Sequence, residues 1–475
     1  MTAGVPANGR LLIDAVALER RIALIEKGRL SRLWIDRGGP ARFDLHLGRV
    51  TKVLPEMAAA MVALDGLSDG LLPLDRYATP LHEGQWVLVQ IARLGFEDKG
   101  VKLTGRIAIE GLGMILRPNG KLIEIPRKLK DEDRRTDLAR QLKALQVDDD
   151  GIMLRSQALD WSEAALAGEY NLLRRHWVAA QAALADPKKP KLISAAQSDV
   201  DQMIERHLMA GGACMVDGTS EFVRLRGLLK ARGAPDGNLT RYAGSQLLFG
   251  ASDPDIDLDI DLEDEINNAV ASKVDLPGGG WIAIDPTTAL CAIDVNAAGA
   301  DAGRDAETRA IEVNNRAAKE IVHQIRLRNI GGLIVIDPLR VKSRTGRDMF
   351  DSTLRKSFGA ELDGAVQIGG FTRLGLYEFS RQRSGESLYE RMQAKSDVRR
   401  LSAQTALNGV IRGVIAQCRS GVVGAMSLYV SPMMAQLLAS DVNGTQILQN
   451  ELGVAPEIIA DPTLSEDAYR LEKKI

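Results

Sequence analysis

Apolar and polar positions alternate with period two through much of the first hundred residues, and strands are the elements this predicts. LLIDAV (11–16) and RIALIEKGRLSRLWI (21–35) read as strands, the second divided by a turn at Gly28. HLGRVTKVLPEMAAAMVAL, GLLPL, QWVLVQIARLGF and VKLTGRIAI come next with turn residues between them, the spacing of a small all-β barrel over residues 37–105. Residues 106–200 mix short strands, GMILRP and GIMLRS, with two stretches of helical periodicity, EDRRTDLARQLKAL and SEAALAGEYNLLRRHWVAAQAALA. DPKKPKLI (186–193) reads as a Pro/Lys-rich connector at a subdomain edge.

From Gly278 the pattern becomes strand, strand, helix, strand: GGGWIAID, TALCAIDVN, DAETRAIEVNNRAAKEIVHQIRLRN and GGLIVID. The unbroken apolar run of the last predicts burial on both faces. The last three elements form a β-α-β unit, whose strands run parallel. Asp294 and Asp337 each close a strand, so both lie at the carboxyl edge of the sheet, where ligands of open α/β sheets gather. Paired strands stand ~4.8 Å apart, and two carboxylates at that spacing repel unless one takes up a proton or a cation intervenes. One or two carboxylates with several waters is how proteins hold Mg²⁺. Asn296, two residues after Asp294, points to the same side. Either aspartate alone reads equally as a strand end that caps the next helix or turn; the pairing, Asn296 and the basic run LRVKSRTGR favour the cation. On these residues alone a phosphatase or a nucleotidyltransferase remains open.

At 475 residues the chain has room for two to four domains, and its formal net charge of −2 announces no polyanion-binding field overall. Regionally the balance differs. Arg326 to Lys356 holds eight basic residues against three aspartates, and a second basic cluster spans Arg117 to Arg140. Arg326, Arg328, Arg373 and Arg381 are candidates to neutralise charge developing on a phosphate and equally structural salt-bridge partners, with Arg326 and Arg328 read first as partners of the dipole at the C-terminus of their helix. The acidic stretch 251–266 reads as an edge strand or the mouth of a helix and lacks the Gly and Glu offsets of a Ca²⁺ loop. Three distant cysteines, Cys214, Cys291 and Cys418, with no CxxC pairing, indicate neither a disulfide framework nor a structural zinc and fit a reduced cytoplasm, with Cys291 a small buried hydrophobe. The N-terminus lacks the pattern of a signal peptide. The longest uncharged run, Ser420–Ser440, reads as a strand and a short helix capped by Ser431 with Pro432 at its first position, so no membrane span is expected.

The run from AIDVN through QIRLRNIGGLIVIDPL, together with RLGLYEFSRQR at 373–383, closely resembles the ribonuclease E/G family; GRLSRLWI, EGQWVLVQI and LRRHW fall in the family's order, so the likeness covers nearly all the chain. It resembles the shorter type of member. The resemblance implies a multidomain α/β protein: a ribonuclease H-like subdomain split between 1–36 and 200–269, an OB-fold RNA-binding barrel at 37–105, a 5′-phosphate sensor at 106–199, a DNase I-like catalytic subdomain at 270–391 and a small dimerisation domain at 392–475. It implies a cytoplasmic Mg²⁺-dependent endoribonuclease that cuts single-stranded RNA, leaves 5′-phosphate and 3′-hydroxyl ends, responds to a 5′-monophosphate and forms a homodimer. Asp294 and Asp337 match its Mg²⁺ ligands and Asn296 the asparagine between them. Arg155 and Ser156 match its terminal-phosphate grip, with Arg127 a further sensor arginine and Ile115 the neighbouring apolar contact. Lys99 matches an RNA-backbone contact, and Arg373 is a further candidate for RNA binding. Departures are specific. Met61 and Leu71 stand where members carry base-stacking aromatics, Arg340 where an acidic residue is common, and Ser156 and Gln157 where Thr and Ala are usual. The paired cysteines of a zinc link are missing between Arg383 and Leu401, which argues against zinc. The rival reading is a non-catalytic RNA-binding regulator that kept the fold.

Overall fold

The computed structural model describes residues 9–76, 80–95, 100–250, 261–287, 289–297, 305–362, 365–383, 385–393 and 401–474. They divide into two units, one of residues 1–37 and 203–475 and the other of residues 38–202. The first unit opens with the antiparallel strands β1 (Arg10–Asp14), β2 (Arg20–Glu26) and β3 (Arg29–Asp36). Lys27 and Gly28, both at positive φ (53° and 72°), form the two-residue turn that matches strand twist.

The second unit contains β4 (Leu45–Leu54), β5 (Ala59–Ala63), β6 (Gly70–Pro73), β7 (Trp86–Arg93) and β8 (Lys102–Thr104). Their order is β4-β5-β6-β8-β7, and β7 pairs back onto β4, closing a five-stranded, OB-like barrel around Val50, Val62, Leu72, Val89 and Ile91. A second sheet, in the order β11-β12-β10-β9, comes from β9 (Ile109–Glu110), β10 (Met114–Arg117), β11 (Ile123–Glu124) and β12 (Gly151–Leu154). Helices α1 (Glu132–Leu145) and α2 (Glu163–Ala185) occupy the stretches their periodicity predicts, capped by Asp131 and Ser162. The connector reading of 186–193 needs correction. Lys191–Ser194 is a strand, β13, paired antiparallel with β4 at Lys191↔Leu47. It is an edge strand, where lysine and a preceding proline are tolerated, and those residues hid it.

The chain re-enters the first unit through α3 (Asp199–Met209). β14 (Ala213–Asp217), α4 (Thr219–Ala231) and β15 (Leu239–Arg241) then extend the opening sheet to β15-β14-β1-β2-β3, with β14 parallel to β1. Of the acidic stretch, 251–260 lie outside the described residues; its end continues into helix α5 (Leu262–Asn268), capped by Asp261. The next sheet has six strands in the order β16-β17-β18-β19-β21-β20: β16 (Lys273–Asp275), β17 (Trp281–Pro286), β18 (Leu290–Asn296), β19 (Gly332–Asp337), β20 (Val366–Phe371) and β21 (Tyr377–Arg381).

Helices α6 (Ala306–Leu327) and α7 (Arg344–Phe358) pack on one face of that sheet, in a core that joins Ile293, Ile334 and Ile336 to Val313, Ile321 and Phe350. Asp305 caps α6, and Asn329 at φ 51° ends it in the left-handed region. Burial on both faces is therefore not found for β19. Ile334 and Ile336 are fully buried, while Leu333 is 46% exposed, because both helices take the same side. The other face stays open, and the site lies on it. The chain ends with α8 (Leu388–Met392), α9 (Ala403–Arg419), β22 (Met426–Val430), α10 (Pro432–Ser440), α11 (Val442–Leu452), β23 (Glu457–Ala460) and β24 (Tyr469–Lys473), the strands ordered β23-β22-β24. Ser431 caps α10 through Met434 N (3.3 Å). Among the described residues no helix is long and apolar enough to cross a membrane.

Candidate active site

β18 and β19 run parallel, and their register sets Asp294 directly opposite Asp337. Alternation along each strand sends both side chains to the open face of the sheet, where both are exposed. Asn296 lies on the same face and donates from Nδ2 to Oδ2 of Asp294 (2.7 Å), which leaves the other carboxylate oxygen unblocked. Among the described residues neither aspartate pairs with a cation, and no third Asp, Glu, His or Cys completes a closed ligand cage. Two carboxylates and an amide at one sheet edge are oxygen donors of the kind that hard divalent cations take.

The same first unit contains a second carboxylate pair of identical register. Asp14 ends β1, Asp217 ends β14, and the two are paired across parallel strands. Here the chemistry is silenced. Both are buried, and α9 covers them with two arginines seven residues apart. Arg412 Nη1 donates to Asp14 Oδ1 (3.0 Å), and both amino groups of Arg419 bond Asp217 at 2.7 Å. The two pairs share a register and differ in their surroundings: among the described residues the open pair meets no cationic side chain, while Arg412 and Arg419 neutralise the buried one.

A further residue holds the open site in place. Asn314, on the buried face of α6, donates to Leu339 O (2.8 Å) and accepts from Leu339 N (2.9 Å), fixing the turn that leaves β19 just after Asp337. Its signal in the sequence is an amide within an apolar helical stripe. Glu307 Oε1 accepts from Ser343 N (2.8 Å), and that bond holds the Glu307 carboxyl below its usual range. Beyond the turn, Arg340, Lys342 and Arg347 are exposed.

Of the four candidate arginines, three have structural partners away from the aspartates. Arg328 is buried and bonds Gln324 Oε1 and Ala271 O, Arg326 bonds Phe358 O, and Arg381 bonds Ile330 O. The α6 helix runs antiparallel to its strands, so its C-terminus returns to the edge opposite the aspartates. Arg381 pairs with Gly332, at the far end of β19 from Asp337. Arg373 alone lies at the aspartate edge, exposed in the tight turn between β20 and β21.

In the second unit, Ile115 on β10 pairs with Glu110 and Met153, and Arg155 just past β12 binds Glu110 (Nη2 to Oε2, 2.8 Å). Arg155 and Ile115 thus share Glu110 as neighbour. Ser156 is exposed beside Arg155, and Arg127 is exposed on the separate segment between β11 and α1. On the barrel, Met61 and Leu71 are cross-strand partners, and they continue a row Lys52–Met61–Leu71–Lys102–Arg93 over five strands, with the cations exposed. Lys99 lies outside the described residues.

The sequence profile of the Ribonuclease E/G family matches residues 108–384, and the chain belongs to that family. It is 32% identical to ribonuclease E of Escherichia coli over 406 residues, 80% of this chain and 37% of the relative, and 31% identical to ribonuclease E of Haemophilus influenzae, over 42% of that protein. Ribonuclease G of Haemophilus influenzae is 25% identical over 80% of both chains. The chain spans about two fifths of the length of these ribonuclease E relatives.

Proposed function

We propose that the protein is a Mg²⁺-dependent endoribonuclease acting on single-stranded RNA. The observation that carries this is the open Asp294–Asp337 pair, in register on parallel strands, in a chain of the ribonuclease E/G family. Asp294 and Asp337 hold the cation, and Asn296 orients Asp294. Mg²⁺ bound there supplies a water of lowered pKa and neutralises charge on the phosphate. Arg373, Arg340 and Lys342 draw the RNA backbone to this edge. In-line attack at phosphorus leaves 5′-phosphate and 3′-hydroxyl ends. Arg155, Arg127 and Ser156 receive a 5′-terminal phosphate, with Ile115 beside it; a guanidinium keeps donors for a phosphate while bonding Glu110. We assign residues 1–36 with 200–269 to a ribonuclease H-like subdomain, 106–199 to the sensor, 270–391 to a DNase I-like catalytic subdomain, and 392–475 to homodimer formation. The exposed Val423, Val442 and Val454 support the last.

The barrel row is read as an RNA path in which Met61 and Leu71 replace stacking aromatics. Met61→Trp is expected to tighten binding of a short unstructured RNA at least about 5-fold, the return of ~1 kcal/mol or more for one stacked base. Fluorescence anisotropy at fixed salt measures it, and an unchanged Kd would place RNA elsewhere.

The function itself is tested on a short unstructured RNA bearing a 5′-monophosphate or a 5′-hydroxyl, with Mg²⁺ or EDTA. Internal cuts that need Mg²⁺ are expected, faster on the monophosphate, with that preference lost in Arg155→Ala. RNA bound but never cut would make the regulator the correct reading. Equal rates on both RNAs would keep the nuclease and remove the sensor.

A further inference from the structure

Among the described residues, one aromatic residue stands beside the aspartates on the open face of the six-stranded sheet. Trp281 begins β17, directly opposite Asn296 in the antiparallel β17–β18 pair, and Ala283 lies opposite Asp294. Directly paired residues share a face, so Trp281, Asn296, Asp294 and Asp337 all project to the same side. Ile282 and Ile284, which alternate with Trp281, point into the core. The indole is half-buried. Its place in the row is one strand, ~4.8 Å, to the side of Asn296 and two residues along from the level of Asp294. Ala283, opposite Asp294, carries only a methyl group.

The backbone leading to Trp281 is fixed. Gly278 and Gly280 sit at φ 79° and 91°, and a Cβ at Gly280 would stand 2.7 Å from Asn296 O, so the strap approaches β18 more closely than any side chain allows. Lys273 Nζ lies 5.5 Å from the indole centroid and 3.0 Å from Asp275 Oδ1. An exposed cation–π contact is weaker than a stacked nucleobase, so a base displaces the lysine from the ring while the Asp275 pair persists.

We propose that Trp281 is a positioning residue that stacks an unpaired base of the RNA next to the phosphate held at Asp294 and Asp337. The proposal rests on that pair being the hydrolytic site. It also bears on the barrel: where the family resemblance implies stacking aromatics, this chain has Met61 and Leu71, and Trp281 provides an aromatic surface next to the scissile bond.

The test uses an RNA cut at one position, intact or with an abasic nucleotide on either side of the cut. Trp281→Leu is expected to lower kcat/KM on intact RNA roughly 5–150-fold, the equivalent of one stacked base, and Trp281→Phe to restore most of it. Wild type on the abasic RNA should fall to the level of Trp281→Leu, and that variant should lose nothing more. Independent, multiplying losses would overturn the proposal, as would intact-RNA rates unchanged in Trp281→Leu. Asp294→Asn separates the two readings, because stacking is seen there as indole fluorescence quenched by RNA. If wild type cuts nothing but RNA quenches Asp294→Asn more than Asp294→Asn/Trp281→Phe, the nuclease reading falls and the stacking contact stands. Quenching of equal size in the two variants, which then comes from the other four tryptophans, overturns the contact.

Discussion

Asp337→Ala is expected to reduce Mg²⁺-dependent cleavage by on the order of 10³-fold or more, a loss of ~4 kcal/mol of transition-state stabilisation at ~1.36 kcal/mol per decade. One carboxylate and an amide remain, which hold a cation weakly and leave a developing phosphate charge uncompensated. The same substitution should leave folding untouched. Asp337 is exposed, pairs with no cation among the described residues and faces Asp294 across the register, so its removal relieves a like-charge repulsion. Single-turnover cleavage and thermal melting of the same preparation distinguish the cases. Retained cleavage, or a melting temperature lowered by several degrees, would show that Asp337 has a structural task instead.

Arg412→Leu is expected to show the opposite signature: a stability loss of about 3–5 kcal/mol, the cost of leaving a buried charge without its partner. Asp14 is fully buried, and Arg412 is its charged partner; Arg412 also reaches Glu263 (3.0 Å), and these carboxylates push its pKa up despite burial. A double variant, Arg412→Leu with Asp14→Leu, should regain much of the loss, since replacing both members of a buried pair by apolar groups is far cheaper than removing one. The urea midpoint reads both. A single variant as stable as wild type would mean that the pair around β1 and α9 does not hold the unit together. The contrast with Asp337 is a physical criterion for sorting carboxylate pairs: exposed and unpaired for chemistry, buried and bridged for stability.

Asp294 and Asp337 were legible in the sequence because a β-α-β unit leaves one geometry for two strand ends, and Asn296 followed from period two. Arg326 and Arg328 stand at the C-terminus of α6, where the helix-dipole reading puts them, and they do not reach the phosphate because the crossover helix carries that end back to the starting edge; Arg381 was a candidate only through proximity along the chain, and its strand pairs it with Gly332 at the same far edge. β13 was hidden because edge strands accept lysine and proline that interior strands reject. Trp281 was passed over because a tryptophan opening a strand carries no mark of its face until the partner strand fixes the register at Asn296. Asn314 was readable as an amide among core positions of α6, but its partner, the backbone of Leu339, lies 25 residues away. The Asp14–Asp217 pair was invisible for a related reason: nothing local announces that β1 and β14 are neighbours.

That distant pairing constrains how the chain is made. β1 cannot complete its parallel partnership until Asp217 has been synthesised, and at ~5–20 residues per second this is roughly 10–40 s after Asp14 emerges. The intervening residues 38–202 form a unit of their own, so they can fold while the opening hairpin waits. Once folded, they shorten the effective loop that must close between β1 and β14, lowering the entropy cost of the long-range contact. A variant that slows folding of the inserted unit should therefore leave β1–β3, with their unpaired edge, exposed longer during synthesis, and aggregation of nascent chains should rise even where the finished protein is equally stable.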